Sequence, residues 1–403
     1  MLVKSSSPLG LYFHFPYCSK RCPYCDFTLT TKPIPQRIYL EATLAELHAR
    51  IEELTRLGWK SKPLISLYFG GGTPSLWNTE ELEQFIEAVR SMLGFTSEIE
   101  ITMEANPDEI DFPLIQAWAA LGINRVSLGV QSMREAALKT LGRSHTPAQV
   151  KKVVEWIKTA GIQRTSVDLI YGQAGEGVEE ILFDLNQILA LDIGHISLYE
   201  LTIEDKTEFG VRTRRGEVLH ATEERIIELD QAIRGCLEMN GYHLYEVSNA
   251  CRVGEEAVHN SLYWTMGQYL GIGAGAHGRV DLPLDERSQA TSLRWQNSTS
   301  PSRYLQAALA FSPPDLGSIE GERGLLDSDA LDEERVLVGL RLARGVTLTS
   351  KLKQRYESHA TALINTGLLG YSEPTPQAPH GRWFATVEGR QLLDHVSMKL
   401  ILG

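Results

Sequence analysis

Three of the chain's five cysteines, Cys18, Cys22 and Cys25, share one short stretch with the spacing C-x3-C-x2-C. An apolar, β-prone run (Leu11, Tyr12, Phe13, Phe15) leads into it. Three thiols gathered in one loop at a strand end constrain this chain more than any other feature. Zinc sites usually recruit four ligands from paired C-x2-C halves, and no second pair follows here. Iron–sulfur cubanes normally take four thiolates, so three leave one iron open to another ligand. Three structural cysteines, or a redox thiol pair with the third cysteine unexplained, are the alternatives.

With 403 residues, 43% of them hydrophobic, the chain is long enough for a large core and more than one domain. A net charge of −12 argues against a nucleic-acid footprint over the whole molecule. The opening residues MLVKSSSPLG lack the apolar core of a signal peptide, and no apolar run reaches transmembrane length. A cluster-ligating cysteine set also wants a reducing compartment, so a cytoplasmic protein is expected.

Apolar runs at 11–15, 64–69, 99–104, 126–130, 166–171 and 196–201 alternate with amphipathic stretches. Most runs are continuously apolar, as in strands buried on both faces of a parallel sheet. Leu44, Leu47, Ile51 and Leu54 keep one helical face. Asn78 stands where a cap belongs, ahead of Leu82, Phe85, Ile86 and Val89. Thr146–Pro147 opens a helix facing inward with Val150, Val153, Val154 and Ile157. Val178, Ile181, Leu182, Leu185 and Leu189 form the last stripe. Six strand–helix alternations predict parallel βα units, two short of a complete eight-unit barrel.

Beyond them the pattern predicts a helix at about 217–240, a strand near 242–248 and the glycine-rich run YLGIGAGAHG. Residues 281–330 read as a connector with one short helix near 304–311. The last part, 331–403, reads as three helices, two strands and a closing helix, a winged-helix pattern. Its basic and acidic residues nearly balance, which favours a lid or docking surface over DNA binding. The expected domains are therefore 1–280, 281–330 and 331–403.

Chemistry-bearing residues cluster at the ends of the expected strands. Gly70, Gly71 and Gly72, followed by Thr73, close the second and would let backbone approach a ligand without an intervening Cβ. Glu104 ends the third strand, Gln131 follows the fourth, and Arg143 sits in LGRSH. Asp168 lies inside an apolar run, where an acid is costly to bury without a partner; Arg143 is one option. His259 in HNSLYW could ligate iron, with Tyr263 and Trp264 stacking on a macrocycle, or the three could simply pack. His277 is a second such candidate. Cys236 and Cys251 show no ligand spacing and read as small buried apolar residues.

The cysteine spacing after a short strand resembles the signature of the radical S-adenosylmethionine (SAM) superfamily. That resemblance implies a [4Fe–4S] cluster on Cys18, Cys22 and Cys25, whose open iron is chelated by SAM. It also implies an α/β fold, a partial (β/α)6 TIM-like barrel with a C-terminal winged-helix-like domain. Tyr24 would lie near the adenine, and Gly71, Gly72 and Thr73 would meet the SAM amino group. Together with Tyr12, Glu104, Gln131, Arg143 and Asp168, these match SAM-contacting positions of the oxygen-independent coproporphyrinogen III oxidase group.

Within that group the decarboxylating oxidases carry another cysteine two residues after the third, and a longer lead; here that position is Phe27. His259-Asn260-Ser261-Leu262-Tyr263-Trp264 matches the H-N-x-x-Y-W motif of the haem-chaperone branch. The resemblance then implies that His259, Tyr263 and Trp264 bind haem, which is passed to haem-requiring acceptors, respiratory or membrane-associated ones among them. A dimer is compatible with it, a nucleic-acid partner is not, and no catalytic residue is assigned. The competing expectation is radical decarboxylation of a coproporphyrinogen propionate.

Overall fold

Leu9, Leu11, Phe13 and Phe15 are all fully buried, which places the first strand inside a sheet rather than at its edge. The computed structural model describes residues 7–283 and 291–403, so the first residues of the chain's opening stretch lie outside them. The strands are β1 (Leu9–Phe15), β2 (Leu64–Gly71), β3 (Phe95–Ala105), β4 (Arg125–Gln131), β5 (Arg164–Tyr171) and β6 (His195–Glu200). They pair in parallel in sequence order.

The intervening helices are α1 (Gln36–Arg56), α2 (Thr79–Leu93), α3 (Phe112–Ala120), α4 (Glu135–Thr140), α5 (Pro147–Thr159) and α6 (Val178–Leu189). The expected stripes on α2 and α5 are buried. Thr146 and Gln149 form a capping box at α5. Asn78 holds the cap position of α2 with no side-chain bond; its carbonyl accepts from Leu82 N at 3.0 Å. Phe13 stacks on Trp77 at 4.7 Å, a pair worth about 0.5–1.5 kcal/mol beyond its burial.

The barrel does not close. β1's other neighbour is β9 (Gln268–Ile272), running parallel to it, and β6's is β8 (Asn249–Cys251), running antiparallel. Between β6 and β8 come α7 (Glu208–Arg214), α8 (Glu223–Met239) and β7 (His243–Leu244); α9 (Val258–Trp264) follows β8. The helix expected from 217 therefore begins at its Thr222 cap, and the single strand expected near 242–248 is a two-strand pair.

The segment read as a connector instead extends the sheet. β10 (His277–Asp281) is followed by β11 (Ser292–Asn297), α10 (Pro301–Ala310), α11 (Leu316–Ile319) and β12 (Glu320–Leu326). Beyond β9, the strands β10, β11 and β12 extend the sheet, each antiparallel to the one before. β12 is largely exposed, and its EGERGLL sequence carries little apolar signal.

The C-terminal part has its own core, with Leu340, Leu352 and Val396 fully buried. It comprises α12 (Ser328–Gly339), β13 (Val346–Thr347), α13 (Ser350–Asn365), β14 (Leu369–Ser372), β15 (Arg382–Ala385), α14 (Val387–Gln391) and α15 (Leu393–Leu402). Two long helices precede the β14–β15 wing, not three, and β13 completes a small sheet in the order β13-β15-β14.

Candidate functional site

The cysteine loop is tied to the ends of both β1 and β2. Cys18 N donates to Thr30 O at 3.0 Å, and Cys25 N to Cys22 O at 3.1 Å. Gly72 N reaches Phe15 O at 2.7 Å, and Thr73 N reaches Tyr17 O at 2.8 Å. That close stitching needs glycine: a Cβ on Gly72 would stand 2.7 Å from Tyr17 O and 2.8 Å from Phe15 O. Gly71 adopts φ +111°, and a Cβ there would strike the His14 ring at 2.6 Å.

All three thiols are free and half-buried. Thr73 Oγ1 donates to Cys18 Sγ at 3.3 Å, and an Arg143 Nη1 lies 3.4 Å from Cys22 Sγ. Burial pushes the Cys18 thiol up to about 11 and raises Cys25 as well. Thiolates here therefore need a positive partner, and the two donors already aimed at sulfur suit metal-bound thiolates. The three sulfurs in one loop, with a neighbouring glycine backbone, fit an iron–sulfur cluster with one open iron.

Apart from Tyr12, every residue expected to hold cluster or SAM borders one cavity of about 420 Å³ at the C-terminal ends of the strands. Glu104 accepts from Tyr68 OH at 2.6 Å and from Gly71 N at 3.0 Å. Burial pushes its carboxyl up to about 7, against these two bonds. Asp168 is pushed up to about 6 by burial, with Ser197 and Ser127 hydrogen bonds opposing.

The suggested pairing of Asp168 with Arg143 is not formed. Arg143 donates to Gly129 O at 2.9 Å and to Asn106 Oδ1, while Asp168 accepts from Ser127 Oγ at 3.3 Å. Gln131 sits at φ +67°, beside an irregularity in the β4–β5 register. A non-glycine residue held there stores backbone strain and turns its side chain toward the cavity. Asn106 and Ser127 were not singled out by sequence; their strand-end and in-strand positions were the available signals.

Tyr12 borders a second chamber of about 310 Å³ inside the barrel, which shares Glu104, Ser127, Asp168 and Tyr199 with the first. Its hydroxyl bonds His14 Nδ1 at 2.9 Å. His259 forms part of this chamber's wall and does not border the cavity at the barrel mouth. The ring is 2% exposed. Nδ1 bonds Ser66 Oγ at 2.8 Å, Nε2 bonds Tyr263 OH at 2.8 Å, and the backbone N–H donates to Glu100 Oε1 at 3.1 Å. Burial lowers its pKa to about 3, so the imidazole is neutral. Gly10 permits the approach, since a Cβ there would lie 2.5 Å from Leu262 Cδ1 and 3.2 Å from His259 Nδ1.

Tyr263 lines the same chamber, whereas Trp264 lies under the Arg341 guanidinium at 4.6 Å. His277 is exposed on β10 and borders neither cavity. Cys236 is buried, as expected, and so is Cys251. Cys251 nonetheless has ligand-type neighbours, because the β7–β8 pairing sets it opposite His243. Phe27 stands 66% exposed at the rim of the upper cavity.

Comparison with known proteins yields a consistent set. The family described as the radical SAM superfamily matches residues 12–188. The heme chaperone HemW of Lactococcus lactis subsp. lactis (strain IL1403) is 35% identical over 98% of this chain and 98% of its own length. HemW of Mycobacterium tuberculosis (strain ATCC 25618 / H37Rv) is 32% identical over 98% and 95%. The mouse mitochondrial protein named radical S-adenosyl methionine domain-containing protein 1 is 34% identical over 85% and 75%. Among solved structures, coproporphyrinogen III oxidase (HemN) from Escherichia coli superposes with a TM-score of 0.78 over 98% of this chain and 91% of that one. At 20% identity this establishes a shared fold.

Proposed function

The chain belongs to the heme chaperone HemW family of the radical SAM superfamily, and on that basis we propose that it binds haem and passes it to haem-requiring proteins. Membership of the superfamily implies a [4Fe–4S] cluster and SAM. We assign the cluster to Cys18, Cys22 and Cys25, with SAM in the adjoining cavity. Glu104 and the Gly71–Gly72 backbone receive its ammonium group, Arg143 its carboxylate, and Asp168 and Gln131 the ribose side; Tyr24 lies by the adenine. When bound, the cluster supplies one electron at a time to its ligand.

Phe27 carries the haem reading over decarboxylation. It occupies the position where the oxidase branch resembled by this sequence has a further cysteine. An exposed ring at the cavity rim supplies no thiol, and it suits an apolar macrocycle edge. The lower chamber, about 310 Å³, lies at the small end of the roughly 300–1,000 Å³ range of ligand pockets. His259 would offer Nε2 to the haem iron; that nitrogen shares one hydrogen bond with the Tyr263 hydroxyl, whose net worth of about 0.5–1.5 kcal/mol an iron–imidazole bond can offset.

No helix among the described residues is long and apolar enough to cross a membrane. We place the protein in the cytoplasm and assign the C-terminal part as the acceptor's docking surface; acceptors then include respiratory and membrane-associated haem proteins. The reading is tested by anaerobic incubation of the cluster-reconstituted chain with SAM and reductant. Given haem, it should develop a Soret band distinct from free haem. Given coproporphyrinogen III, it should form no protoporphyrinogen; stoichiometric or greater turnover would refute the assignment.

A further inference from the structure

β7 and β8 pair so that His243 and Cys251 stand directly opposite each other, and the loop leaving β8 returns Glu256 beside them. His243 Nε2 lies 3.2 Å from Glu256 Oε1 and 3.9 Å from Cys251 Sγ, and the three donor atoms all fall within 4.8 Å of one another. We propose that His243, Cys251 and Glu256 form a site for a zinc-type divalent ion at the β7–β8 pair.

The spacing supports this. A tetrahedral ion with bonds of about 2.3 Å to sulfur and about 2.0–2.2 Å to nitrogen and oxygen holds its ligand atoms roughly 3.3–3.6 Å apart. Closing the site therefore moves the sulfur–nitrogen pair by only a few tenths of an ångström. The donor set is one sulfur, one imidazole nitrogen and one carboxylate oxygen. That mixture suits zinc or cobalt, whereas magnesium and calcium want oxygens alone. Three protein ligands leave the fourth position to water.

The surroundings are built for the purpose. Cys251 is fully buried, while His243 and Glu256 are partly open and give an ion a path in. Arg125 Nη2 donates to the carbonyls of Glu255 and Glu256 at 3.0 and 3.3 Å, fixing the backbone that carries the third ligand. On binding, the thiol proton leaves to solvent and no electron changes hands. The ion would clamp the loop between β8 and α9, the helix that carries His259.

The test uses the full-length, cluster-reconstituted protein, so that iron occupies the cysteine loop. Zn²⁺ is titrated anaerobically against a chromophoric chelator, and the zinc environment is read by X-ray absorption at the zinc edge. The expected result is one zinc per chain, with a single sulfur at about 2.3 Å and lighter atoms near 2.0 Å. Cys251→Ala and His243→Gln should each weaken binding by about a hundredfold or more, since even outer-shell partners cost 10–100-fold. His243 is partly exposed, so its variant keeps the comparison free of folding defects, with iron content as the control. No zinc above background, a shell of two or more sulfurs, or wild-type affinity in both variants would overturn the proposal.

Discussion

Tyr68 donates its hydroxyl to Glu104 at 2.6 Å, and the same ring stacks on His259 at 5.1 Å, so one side chain joins the upper cavity to the chamber below. Removing the hydroxyl with Tyr68→Phe leaves the stack in place but strips Glu104 of one of its two donors. A hydrogen bond to a charged group is worth about 1.5–3 kcal/mol. SAM affinity should fall about tenfold or more by calorimetry, with cluster iron unchanged. Unaltered SAM affinity would show that Glu104 does not depend on Tyr68.

Glu104 also sets a pH dependence. Burial raises its carboxyl from the ordinary 4.5 to about 7, so the folded chain holds the proton more tightly than the unfolded chain across that window. Its contribution to stability is fully present below the unfolded value and is lost as pH rises through about 7. A cationic ligand wants the ionised form. SAM binding should therefore tighten as pH rises from 6 to 8, and Glu104→Gln should flatten that profile. A wild-type affinity independent of pH would remove Glu104 from the SAM site.

Cys18, Cys22 and Cys25 should be the only cluster ligands. Replacing any one by serine should abolish the visible cluster absorbance and leave residual iron at most. Cys236→Ser and Cys251→Ser should keep wild-type iron, because both lie away from the loop. A cluster that survived Cys22→Ser but not Cys251→Ser would overturn this assignment.

His259 separates haem ligation from simple packing through two variants. His259→Ala leaves Ser66 and Tyr263 unpaired in a buried wall, at a cost of about 1–3 kcal/mol each at most. If the imidazole ligates haem, this variant should also shift the Soret band and weaken retention about tenfold per 1.4 kcal/mol lost. Tyr263→Phe frees Nε2 from its competitor and should tighten haem binding. Unchanged spectra and retention in both variants would make the histidine structural.

Six parallel strands and the strand-end residues were legible because period and apolar run length report burial directly. Glu104, Gln131 and the glycine run needed only their places at strand ends. What escaped depended on contacts between distant segments. Arg143 turned from Asp168 to Gly129 O and Asn106, a choice that sequence spacing does not encode. β12 was hidden because an edge strand such as EGERGLL carries few apolar residues. The burial of His259 follows from Gly10, almost 250 residues earlier, where a missing Cβ admits the ring.

The most direct test of haem delivery mixes the haem-loaded chain with a haem-free acceptor haemoprotein and follows the two Soret bands over time. The account predicts that the chain's band decays as the acceptor's grows, faster than transfer from free haem or from haem bound to albumin. Haem that stays on the chain, or reaches the acceptor no faster than from those controls, would contradict it.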